Sequence, residues 1–269
     1  MKLKLSISPC PNDTFMFEAM LHKRIDTEGL EFEVSFYDIE ELNSRLLQGS
    51  AYGPDISKAS YAVVPQIIRE YCVLRSGSAL GHGNGPLLVG SGMVTDLCDA
   101  TISIAIPGVH TTANMIMERL YPELSNKHPL LFSEIAEAVS KGDYDAGILI
   151  HEGRFVYDRY GLKLLKDLGS EWENHTGLAL PLGAIMVSRR LPHDIAAKTE
   201  RILRRSVEYG LSHPEKSYEF VRSHAREMDD EVIRRHIELF VNKYSADVGI
   251  EGENAVTALL DMPASAIFF

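Results

Sequence analysis

Basic charge, cysteine and long apolar runs are all scarce in this chain, and each scarcity removes a class of protein. Lysine and arginine number 27 against 38 aspartates and glutamates, a formal net charge of −11. Nucleic-acid binding needs a basic face to displace counterions, so no such partner is expected. A small anion stays admissible, because a pocket can be locally positive on an acidic protein. Cysteine occurs three times, at Cys10, Cys72 and Cys98. The odd count and the spacings match no zinc pattern, so no metal is expected, and free thiols in a reducing compartment fit best. No apolar run reaches the roughly 20 residues of a membrane helix. The opening Met1-Lys2-Leu3-Lys4-Leu5-Ser6-Ile7-Ser8 alternates polar and apolar, where a signal peptide would be continuously apolar. A cytoplasmic protein without a membrane partner is the expectation. Catalytic signatures are missing too: there is no His-Glu-x-x-His, no Cys-x-x-Cys, no P-loop and no Gly-x-Ser-x-Gly elbow. Gly81-His82-Gly83-Asn84-Gly85 lacks dinucleotide spacing and a following helix, so it reads as a loop near a hinge.

What is present reads as α/β. The 269 residues suffice for one large domain or two modest ones. Alternation predicts strands over 2–8 and 31–37, with a helix between them capped by Asn12 or Asp13. A helix is predicted over 39–47, then a short strand and a small-residue turn at Ser57-Lys58-Ala59-Ser60. Strands follow over 71–75 and 86–89. The β-branched run 101–106 suits a buried parallel strand, and Pro107-Gly108 turns it into a helix starting near 110–112. Leu130-Leu131-Phe132 reads as a brief strand, Ser133 as the cap of a helix to Lys141, and 146–150 as a strand ending at His151. From Pro192 onward the pattern is mostly helical. Alternating elements imply mostly parallel sheets flanked by helices. Residues 100–176 hold their own strand-helix set, so they are expected as a second lobe inserted into a first made of 1–99 and 177–269.

Four segments combine chemistry with placement. Ser8-Pro9-Cys10-Pro11-Asn12-Asp13-Thr14-Phe15 joins a strand end to a helix start, where α/β proteins bind ligands and free N–H groups attract anions. A plain helix cap explains the same residues. Cys10 as a nucleophile lacks a visible base. Pro107-Gly108-Val109-His110-Thr111-Thr112-Ala113 repeats the geometry with hydroxyls and N–H groups suited to a carboxylate, against a simple threonine cap. His151 ends an apolar strand, where a general base facing a ligand would stand, although a lone histidine is more often structural. Glu152 beside it orients it only if the backbone turns there, and Tyr157 lies close enough to line the same pocket. Lys58 with Ser60 offers a grip on an anion, against a solvated turn. Asn43 is a weaker candidate.

These segments, in this order along nearly the whole chain, resemble the 1,4-dihydroxy-6-naphthoate synthases of the futalosine route to menaquinone. The opening octapeptide is the most specific part. The resemblance implies a two-lobed type II periplasmic-binding-protein fold without secretion, with the substrate in the inter-lobe cleft. It implies a cofactor-free lyase that splits cyclic dehypoxanthine futalosine, a small anionic substrate, into dihydroxynaphthoate and a three-carbon sugar fragment. His151 matches the family's general base, Thr111 and Thr112 its substrate-binding pair, and Lys58, Ala59 and Ser60 a second contact segment. Asp13 and Asn43 match further polar residues of the cleft. Chorismate dehydratase of the same pathway, for which the proline-flanked opening looks wrong, and a solute-binding or sensing protein for a carboxylate are the alternatives.

Overall fold

The computed structural model describes residues 1–49, 51, 53–92, 97, 99–226 and 229–269. Cys98 lies outside these, while Cys10 and Cys72 are buried. The strands are β1 (Lys2–Ile7), β2 (Glu31–Phe36), β3 (Ile56–Ser60), β4 (Tyr71–Val73), β5 (Ala79–Gly81), β6 (Leu87–Gly90), β7 (Ile104–Ile106), β8 (Lys127–Pro129), β9 (Ala146–Leu149), β10 (Lys163–Asp167) and β11 (Leu180–Ser188). The helices are α1 (Pro11–Leu21), α2 (Ile39–Leu47), α3 (Val64–Ile67), α4 (Thr112–Leu120), α5 (Ile135–Lys141), α6 (Gly153–Val156), α7 (Leu168–Thr176), α8 (His193–Ser212), α9 (Tyr218–His224), α10 (Asp230–Phe240), α11 (Lys243–Ala246), α12 (Gly249–Leu260) and α13 (Ala264–Ile267). No helix among the described residues is long and apolar enough to cross a membrane.

The chain forms two compact units. The first comprises 1–81 and 181–269. Its sheet runs β2-β1-β3-β11-β4, with β5 on β11. β1 lies parallel to β2 and β3, with Leu5 opposite Val34 and Ile56, whereas β11 runs antiparallel to β3 and β4. α1 is buried along Pro11–Met20. It packs against α8, α9 and α10, so no face is left for water and its sequence shows no polar stripe. Leu5, Phe15, Phe17, Ile185, Ile202 and Val207 anchor the core.

The second unit is 82–180. Its sheet runs β10-β6-β9-β7-β8. β7 pairs in parallel with β8 and β9, and β6 antiparallel with β9 and β10. The unit starts well before the expected residue 100 because β6 hydrogen-bonds entirely within this sheet. Both sheets are mixed, since their antiparallel pairs all involve β6 or β11. The expected strand at 130–132 is displaced to Lys127–Pro129: Leu130 still donates to Ile106 O, but Glu134 N closes a turn onto Leu131 O. Glu134 rather than Ser133 occupies the cap of α5, and its side chain makes no capping bond.

Gly85 shows how tightly β6 and α7 are joined. A Cβ there would meet Gly169 Cα at 2.2 Å and Gly169 N at 2.4 Å. Backbone cannot yield as a flexible side chain does, so Gly85→Ala is expected to destabilise the second unit by about 1–3 kcal/mol. The check is a lowered urea midpoint, read by hydrogen exchange at β6 amides.

Candidate functional site

In the first unit the Ser8–Phe15 segment does what two prolines allow. Pro11 stands at the first helical position, where its missing N–H is no loss, and Cys10 is the cap residue with extended backbone. Neither Asn12 nor Asp13 caps the helix. Asp13 is fully buried, and its carboxylate turns back instead. Oδ2 accepts from the Ser8 N–H at 3.2 Å and the Ser8 hydroxyl at 2.7 Å. Oδ1 accepts from Asn12 Nδ2 at 3.0 Å and lies 3.0 Å from Lys58 Nζ. Asn12 Oδ1 in turn lies 3.0 Å from His236 Nε2 on α10. A negative charge in the first turn of α1 is also favoured by the helix dipole.

Lys58 is not on a turn. Residues 56–60 form β3, a central strand buried at every position between β1 and β11. A β-branched, apolar strand is the usual tenant there, and the polar Ser-Lys-Ala-Ser run concealed it. Strand alternation sets the Lys58 and Ser60 side chains on one face and Ala59 on the other, so Ala59 contributes backbone paired with Ala184. Lys58 is 5% exposed. Burying an ammonium costs several kcal/mol unless a partner compensates, and Asp13 is that partner. The Lys58 ammonium carries three N–H donors, of which the contact with Asp13 Oδ1 at 3.0 Å can occupy one. Asn43, fully buried on α2, fixes Ser60 twice: Nδ2 donates to Ser60 Oγ at 3.0 Å, and Oδ1 accepts from Ser60 N at 2.9 Å. Tyr61 follows, its hydroxyl 2.8 Å from Ser78 Oγ. Burial raises that phenol above its ordinary range, so it stays neutral.

In the second unit Gly108, at φ 146, makes a turn that a side chain would strain. His110 follows, part-buried. Thr111 is the cap of α4: its Oγ1 accepts from Asn114 N at 3.2 Å and donates to Gly108 O at 2.8 Å. Thr112 is the first helical residue, 2% exposed. The threonine-cap expectation therefore holds for Thr111, and the helix start it builds offers N–H groups to an anion. His151 follows β9 with φ +52, a left-handed backbone that costs an L-residue roughly 1–2 kcal/mol. Its ring meets the edge of Phe132 at 5.1 Å between centroids. The backbone does turn there: Gly153 N returns to Ile150 O, and Glu152 sits at the cap of α6. Tyr157 packs part-buried on the core cluster of Leu87, Val89 and Ile135.

Three residues of the first cluster escaped sequence reasoning as participants: Ser8, Asn12 and His236. The signal for His236 was its place on the apolar stripe of α10 with Val232, Ile233 and Phe240; a histidine there must satisfy a polar ring inside a core. A large groove of about 1010 Å³ is lined by Phe15, Leu211, Tyr218, Val221, Ile233 and Ile237 among others, and of the expected segments only Phe15 reaches it.

Solved structures place this arrangement in a class. A Candida albicans protein described as having the generic periplasmic binding protein fold matches with TM-score 0.69 at 15% identity, over 97% of this chain and 91% of that one. The alkanesulfonate-binding protein SsuA of Xanthomonas axonopodis pv. citri matches with TM-score 0.67 at 14% identity, over 99% and 98%. The chain thus has the periplasmic-binding-protein fold, built from two sheet-and-helix lobes. A protein from Archaeoglobus fulgidus is more similar, with TM-score 0.88 at 30% identity over 97% and 96%. The family model described as menaquinone biosynthesis matches residues 3–265. Two proteins named 1,4-dihydroxy-6-naphthoate synthase are near full-length relatives. The one from Thermus thermophilus is 43% identical over 96% of this chain and 92% of its own, and the one from Streptomyces coelicolor 38% over 98% and 93%. The chain belongs to this menaquinone-biosynthesis family.

The Lys58–Asp13 pair generates a stability prediction. Asp13→Asn leaves a buried ammonium without its counter-charge and is expected to cost about 3–5 kcal/mol. Adding Lys58→Met removes the stranded charge and should return most of that loss. Urea unfolding of the two single variants and the double variant gives the coupling directly.

Proposed function

We propose that the chain splits cyclic dehypoxanthine futalosine to 1,4-dihydroxy-6-naphthoate, on the futalosine route to menaquinone, as a cofactor-free lyase of the cytoplasm. The observation that carries this reading is the 38–43% identity, over nearly the full length, to two proteins bearing that synthase name. His151 is the general base. Proton removal beside a carbonyl needs a base held in place and a donor for the charge that develops on oxygen. The turn after β9 and the edge of Phe132 hold the imidazole. Lys58 supplies a buried cation with donors beyond the one that Asp13 can take, and Thr111 and Thr112 supply a helix start for a carboxylate. Ser60, with the backbone of Ala59, and Tyr157 complete the substrate contacts. Asp13 and Asn43 act by setting Lys58 and Ser60.

Incubating the purified protein with cyclic dehypoxanthine futalosine tests this, with product followed by chromatography and mass spectrometry. Dihydroxynaphthoate is expected without added cofactor. No product, with tight binding of another carboxylate, would move the protein to the solute-binding class. His151→Ala should lower kcat about 10²–10⁴-fold with an unchanged circular dichroism spectrum. His151→Asn is the sharper control, because asparagine accepts the left-handed backbone without supplying a base. Full activity in either variant would remove the histidine from the mechanism.

A further inference from the structure

We infer that His236 and Asn12 are positioning residues for substrate binding, orienting Asp13 so that Lys58 presents its remaining N–H donors to an anionic group of the substrate. The inference rests on the functional reading above and extends it to two residues that no resemblance assigned.

His236 is completely buried, on a helix face otherwise made of Val232, Ile233 and Phe240. A leucine would fill that place without any polar cost, so the imidazole needs a polar task. Its contact with Asn12 supplies one, and the chemistry of the contact is fixed. Asn12 Nδ2 donates to the Asp13 carboxylate, which only accepts. The other end of the amide is therefore its carbonyl oxygen, and His236 Nε2, 3.0 Å away, must carry the proton. The imidazole thereby holds Asn12 against an amide flip that would turn its carbonyl oxygen towards the carboxylate. Asn12 and Ser8 together occupy both oxygens of Asp13, so the carboxylate cannot rotate without breaking bonds at each end. Lys58 meets a fixed carboxylate at 3.0 Å. The contact neutralises its charge and can occupy one of its three N–H donors. A freely rotating carboxylate would instead draw the ammonium with it.

The test pairs kinetics with a spectroscopic reading that does not need turnover. His236→Phe keeps a ring against Phe240 but removes the donor, and His236→Gln restores one. With cyclic dehypoxanthine futalosine, His236→Phe should raise KM about tenfold while kcat stays within about threefold, and His236→Gln should recover most of the loss. In protein labelled with ¹⁵N-lysine, the protected Lys58 ammonium signal, identified by its absence in Lys58→Met, should persist in wild type and His236→Gln and broaden away in His236→Phe. Asn12→Leu should reproduce the His236→Phe pattern should that variant fold poorly. An unchanged KM and ammonium signal in His236→Phe and Asn12→Leu, with only a lower melting temperature, would reduce both residues to packing and overturn the inference. A wild-type protein that makes no product yet shows the expected signal pattern would overturn the substrate reading and leave the positioning of Lys58 standing.

Discussion

The first unit is organised around an ammonium and a carboxylate that share its interior. Lys58 lies on a central strand and Asp13 in the first turn of a helix buried on all sides. Removing two charges from water costs several kcal/mol for each ion, and mutual attraction repays this only with good geometry and further hydrogen bonds. The surroundings meet that condition for Asp13, through Ser8, Asn12 and the helix start. Lys58 brings three N–H donors, of which the contact with Asp13 can occupy one. A pair built only for stability could be replaced by apolar side chains at little loss, so this pair is where the proposed anion site is best tested.

The second unit is arranged for a different task. It spends backbone strain on a histidine and a glycine turn on a helix start, and both follow buried strands of one sheet, β9 and β7. The donors at that helix start are backbone N–H groups, which carry no net charge and need no counter-ion.

Much of this was legible in the chain. β1, β2 and α2 follow directly from alternation and capping, and α2 was located to the residue. The position of His151 followed from an apolar strand meeting a histidine. The identity of the neighbours did not follow. Ser57–Ser60 read as a turn because small polar residues dominate it, yet polar residues in a central strand announce a buried network as readily as a loop. Deciding between them requires Asp13, 45 positions away in sequence, and local pattern carries no such information. His236 was hidden for the same reason, since its partner Asn12 lies at the other end of the chain. The second lobe was expected to begin at 100 because the strongest apolar run starts there, whereas strand pairing, which sequence does not display, assigns β6 to the same sheet.

Fold alone separates an enzyme of this shape poorly from a binding protein, because fold and function are not tied. Local energetics separate them better. Lys23, Glu28 and Asp261 share the left-handed backbone of His151. Lys23 and Asp261 follow helix ends, where that conformation is routine, and Glu28 sits in the turn before β2. Any of the three is replaceable by glycine or asparagine with relief of strain. So is His151 on backbone grounds alone, and a binding protein would gain from that exchange, since capturing an anion requires donors and charge but no proton acceptor. Bearing the strain with an imidazole makes physical sense when a group must accept a proton near neutral pH. A buried cation such as Lys58 would serve binding and catalysis alike, so the proposed chemistry turns on the strained histidine.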